Sequence, residues 1–137
     1  MQKIKTNENT FRSSIDSAIF YKKISAEKSI QFITESISKS TSVKENAQAF
    51  EVLGDVNMYW KQYDLATTNY RISLKNESNI DVKLKLAKAY FLNKNYQKSL
   101  EIYNDLEDKT LNNWQQIEKQ EGLGDVFLEQ NKNIVDT

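Results

Sequence analysis

A shift of 33 residues superposes one stretch of this chain on the next: Leu53 falls on Leu86, Tyr63 on Tyr96, Ala66 on Ser99 and Tyr70 on Tyr103. Self-similarity at such a period marks stacked supersecondary units, each with an apolar face that it cannot bury alone. A further copy is signalled by Leu53-Gly54-Asp55-Val56, which returns as Leu123-Gly124-Asp125-Val126, with Leu86-Ala87 standing between them in the place of Leu53-Gly54. The unit is a pair of antiparallel helices. Gly54 and Ala87 lack bulk where the two helices would cross, Ala66 and Ser99 lack it on the second helix, and Tyr63 and Tyr96 begin second helices and fill the space under the turn. The chain has no proline and only three glycines, which suits helices better than a turn-rich β fold. The expected class is all-α.

The residues from about 47 to 108 resemble two tetratricopeptide (TPR) repeats. The first reads Phe50-x2-Leu53-Gly54 and then Ala66-x3-Tyr70; the second reads Leu86-Ala87-x2-Tyr90 and then Ser99-x3-Tyr103. Asn57 and Lys83 depart from the family's aromatic positions, neither repeat ends in proline, and Asn57 needs a hydrogen-bond partner if it is buried. The resemblance implies a TPR-like α-solenoid of antiparallel hairpins with a terminal single helix. Residues 1–10 are expected as a polar tail and 11–137 as one domain: a degenerate repeat over 11–46, repeats over 47–79 and 80–110, and a capping or truncated repeat helix over 111–133. In the first of these Lys28-Ser29-Ile30 matches Lys98-Ser99-Leu100, and Ser42-Val43-Lys44-Glu45 forms a capping box that opens the next helix. In the last, Leu123-Gly124 keeps the small residue against which a following helix would pack.

Composition removes whole classes of chemistry. Without cysteine or histidine the chain has no thiol or imidazole nucleophile, no Ser-His-Asp triad and no ordinary zinc ligand set. Nineteen basic and nineteen acidic residues cancel, so no global field draws the chain to nucleic acid or to an anionic membrane. No apolar run approaches the roughly 20 residues of a membrane helix. The expectation is a soluble, cytoplasmic protein with no membrane insertion, no cofactor and no metal. Gly122-Leu123-Gly124 is no phosphate loop, because no strand precedes it. Asn76-Glu77-Ser78 fits a glycosylation sequon that matters only in secreted eukaryotic proteins.

In TPR proteins the first helix of each hairpin lines a concave groove. Helical spacing places Gln48, Glu51, Asp55 and Met58 there from the first clear repeat, Asp81, Leu84, Lys88 and Phe91 from the second, and Glu118, Glu121, Asp125 and Leu128 from the last helix. Such a groove holds two acidic stripes around one lysine, with Met58, Phe91 and Leu128 as an apolar ledge. It suits a peptide or protein partner with basic residues and an apolar anchor. The alternative is that these carboxylates are the solvated face of amphipathic helices. Acidic Glu51, Asp55 and Glu118 oppose the family's grip on a C-terminal carboxylate. Trp60 and Trp114 are expected to seal packing between repeats rather than to anchor a partner. The function implied is a non-catalytic protein-protein interaction module, an adaptor or scaffold. The alternatives are the sensory or regulatory TPR segment of a larger bacterial histidine kinase or transcriptional regulator and, more remotely, a small enzyme using Glu51 and Asp55.

Overall fold

Short polar side chains write most of the helix starts. Thr10, Ser25, Ser42, Asn79 and Asn95 each accept a hydrogen bond from the backbone N–H three residues on, satisfying a donor that the first turn leaves open. The computed structural model describes residues 10–135, without the side chains of 133–135, so nearly all of the expected N-terminal tail lies outside the described residues. Seven α-helices follow: α1 (Phe11–Tyr21), α2 (Ala26–Lys39), α3 (Val43–Tyr59), α4 (Tyr63–Asn76), α5 (Ile80–Leu92), α6 (Tyr96–Asp105) and α7 (Asn113–Val135). A 3-10 turn over Asp108–Thr110 precedes α7, and no strand occurs among the described residues. The all-α expectation holds. The expected capping box is shifted by one residue, since the Glu45 carboxylate accepts from the N–H of Thr41 rather than of Ser42.

The chain divides into two compact units, residues 1–78 and 79–137. In the first, α1 pairs with α2 and α3 with α4, while α3 also packs on α2 and α1. Its core joins Phe11, Ile15 and Ala18 of α1, Ile33 of α2, and Ala49, Val52 and Val56 of α3. In the second, α5 pairs with α6, and α7 packs on both. Its core joins Leu84 and Ala87 of α5, Tyr103 of α6, Leu106 and Leu111 of the segment between α6 and α7, and Val126 of α7.

The 33-residue repeat is copied in backbone detail. Lys61 and Lys94 take left-handed φ values of 61° and 63°. Behind them the N–H of Gln62 donates to Asn57 at 2.8 Å and that of Asn95 to Tyr90 at 2.8 Å, while Lys61 donates to Met58 and Lys94 to Phe91. This is the Schellman closure of a helix, and it turns the chain sharply into the following helix. Lysine replaces the usual glycine at a cost of about 1 kcal/mol in backbone strain.

The small residues meet where the helices cross. Gly54, Ala66, Ala87 and Ser99 are all buried. Serine closes the crossings chemically as well as sterically: the hydroxyls of Ser29, Ser73 and Ser99 donate across their hairpins to the carbonyls of Ala18, Ala47 and Ala87 at 2.7, 2.7 and 2.8 Å. Ser29 thus performs in the divergent first hairpin what Ser99 does in the third. Buried Asn57 has its partners, donating to the Gln62 side-chain oxygen and accepting from the Asn69 amide.

Candidate functional site

On α3, Gln48, Glu51, Asp55 and Met58 follow one another at helical spacing and are each half-buried. Beneath them lies Tyr70 of α4, whose ring sits where a Cβ on Gly54 would come within 2.5 Å of it. The Tyr70 hydroxyl donates to the Asp55 carboxylate at 2.6 Å. Burial first, then the charge of Asp55 and its hydrogen bond, and the charge of Glu51, push the phenol well above its ordinary range. Asp55 is therefore part of the hairpin's own bonding as well as of its surface.

The second unit repeats the theme with different partners. Tyr103 of α6 lies against Gly122 of α7, where a Cβ would overlap the ring. Burial, then the charges of Asp125 and Glu118, raise its hydroxyl to about 12. The neutral phenol is thus favoured in the fold relative to an unfolded value of 10.0. That contribution is complete below pH 10 and is lost as the pH climbs through about 12. Urea unfolding should show stability falling between pH about 10 and about 12, and falling less in Tyr103→Phe. An equal fall in the two proteins would contradict the burial of this hydroxyl.

The remaining candidates separate into two groups. Leu84 is in the core of the second unit, and Phe91 packs against that core with its ring 5.6 Å from Tyr96. Leu84 is buried at 3 % exposure and is removed from the contact surface, because its position on α5 faces α6 and α7. Asp81 and Lys88 of α5 are exposed, and Asp81 accepts from the side-chain amide of Gln115 on α7 at 2.9 Å. Glu118, Glu121, Asp125 and Leu128 are all exposed on α7, with Leu128 at 67 %.

The tryptophans correct a second expectation. Trp114 is 76 % exposed and seals nothing among the described residues of its unit. Its place at the second residue of α7 turns it outward, because the inward face of that helix is defined by Lys119, Gly122 and Val126. Trp60 does join hairpins, its indole N–H donating to the Lys22 carbonyl at 2.9 Å, although 41 % of the residue stays exposed.

One buried charge escaped the sequence reading. Lys119 of α7 donates to the Leu106 carbonyl at 2.6 Å and to the Asp108 carboxylate at 2.9 Å, tying the helix to the segment that ends α6. No sequence signal distinguishes it from surface lysines except its spacing of three from Gly122 and seven from Val126. Among the described residues no group of three or more carboxylates gathers to hold a metal ion, and no helix is long and apolar enough to cross a membrane. Comparison with family models, curated proteins and solved structures finds no match for this chain.

Proposed function

We propose that the chain is a non-catalytic protein-interaction module of the tetratricopeptide kind, which binds a polypeptide with basic residues along the acidic faces of its first helices. The observation that carries this reading is on α7, where Glu118, Glu121 and Asp125 lie exposed on the same side as the uncovered Leu128. Carboxylates in water around an apolar anchor favour lysine or arginine flanking an aliphatic or aromatic side chain. The repeat of turn geometry, buried small residues and seated tyrosines at 33-residue spacing supports the TPR-like solenoid. A chain without histidine or cysteine, whose acidic pairs stand exposed or are engaged by tyrosine, offers little to acid-base chemistry.

Peptide display against the chain tests the reading. Enriched sequences should combine Lys or Arg with one large apolar residue, and reversal of Glu118, Glu121 and Asp125 to lysine should weaken a selected peptide by about tenfold, as three exposed ion pairs of roughly 0.2–1 kcal/mol each would allow. Enrichment of acidic or uncharged peptides, or affinity indifferent to the reversal, would contradict it.

A further inference from the structure

Four helices carry the same pattern of positions: 11, 14, 18 and 21 on α1; 47, 50, 54 and 57 on α3; 80, 83, 87 and 90 on α5; and 117, 120, 124 and 127 on α7. In the first three the central small residue, Ala18, Gly54 or Ala87, is buried under the second helix of its hairpin. On α7 the same face is Ile117, Gln120, Gly124 and Phe127. Ile117 is 46 % and Phe127 64 % exposed. A Cβ built on Gly124 meets nothing within 4 Å.

That open glycine is the unexplained group. Glycine inside a helix costs about 1 kcal/mol relative to alanine. Gly54 and Gly122 repay the cost by seating Tyr70 and Tyr103, whereas Gly124 seats no ring among the described residues. Its neighbours complete a surface made for a helix: a large apolar residue two turns before it and another one turn after it, and an open hollow lined by Asn113, Gln116, Ile117, Gln120 and Glu121.

We propose that this face of α7 docks an amphipathic helix from a separate polypeptide, lying antiparallel to α7, with a small residue four positions before an aromatic that seats on Gly124. The chain itself shows the chemistry of that occupant. Leu123-Gly124-Asp125-Val126 repeats Leu53-Gly54-Asp55-Val56, and the latter is covered by α4 through Ala66-x3-Tyr70, with Arg71 and Lys75 following. The Tyr70 hydroxyl donates to Asp55, so the matching aromatic is a tyrosine whose hydroxyl would donate to Asp125, with Glu121 one turn away. The same acidic residues oppose pairing of α7 with a second copy of itself. This face is offset by one position from the one bearing Glu118, Glu121, Asp125 and Leu128, with Glu121 and Asp125 on the border of both, so Glu118 and Gly124 tell the two readings apart.

The probe is a synthetic peptide of residues 61–78, which contains α4, titrated into the intact chain and followed by amide chemical shifts. A helix of this length is marginal in isolation, so peptide up to about millimolar is needed. Shifts should centre on Ile117, Gln120, Gly124 and Phe127. Gly124→Leu in the chain and Tyr70→Ala in the peptide should each weaken binding by about tenfold or more. Gly124→Leu places its side chain in open space, so an unchanged or raised melting temperature certifies its fold. Lysine reversal at Glu118 should leave the position of the shifts unchanged. Absence of binding, affinity indifferent to Gly124→Leu, shifts on α3 from exchange with its own α4, or a dimer of the free chain that Gly124→Leu dissolves would each overturn the proposal.

Discussion

Replacing Tyr70 by alanine should lower the free energy of unfolding by about 3–5 kcal/mol, the range for truncating a large buried aromatic. The ring is 1 % exposed and fills the space that Gly54 leaves between α3 and α4. Its loss opens a cavity at the closest approach of the two helices and removes the hydroxyl that donates to Asp55 at 2.6 Å. The partner position shows the same contact from the other side. Gly54→Ala should destabilise the otherwise native chain, because the new methyl would lie 2.5 Å from the ring. In the Tyr70→Ala background it should stabilise by roughly 1 kcal/mol, the ordinary helix preference of alanine over glycine. Urea unfolding of the four proteins gives the coupling. A loss below about 1 kcal/mol for Tyr70→Ala, or a Gly54→Ala effect that keeps its sign in both backgrounds, would remove Tyr70 from the crossing.

Lys119→Met should cost about 1.5–3 kcal/mol, because the methionine keeps the apolar stem but abolishes a charged donor. That donor reaches a backbone carbonyl at 2.6 Å and a carboxylate at 2.9 Å from a residue that is 8 % exposed. The two bonds are unequal. Asp108 is 64 % exposed in its side chain, so its ion pair is screened by water, whereas the Leu106 carbonyl depends on the lysine. Asp108→Asn should therefore cost well under 1 kcal/mol. Equal losses for the two variants, measured by the same unfolding, would mean that the ion pair rather than the carbonyl holds α7.

Much of the fold was legible because the signal is periodic and local. The coincidence of Leu53, Tyr63, Ala66 and Tyr70 with residues 33 further on requires one hairpin geometry twice, and the left-handed Lys61 and Lys94 obey it. Ser29 was legible by its likeness to Ser99 because both face a carbonyl across the hairpin. The surface was harder to read. Spacing put Leu84 on the same stripe as Lys88, yet a stripe on α5 has α6 on one side and α7 on the other, and periodicity does not say where that second boundary falls. Trp114 and Lys119 exchanged their usual places for a related reason: the inward face of α7 is set by Gly122 and Val126, and only a lysine whose amine finds a carbonyl can share it. Gly122 and Gly124 are alike in sequence and opposite in surroundings, since only the first has a tyrosine from the preceding helix upon it.

That opposition provides the most direct test, by thermal unfolding of Gly122→Ala and Gly124→Ala side by side. Gly122→Ala should melt below the parent chain, its methyl colliding with Tyr103, and Gly124→Ala should melt above it, its methyl entering open space on a more stable helix. Shifts of the same sign in both variants would contradict the claim that one face of α7 is seated in the fold while the other stands open.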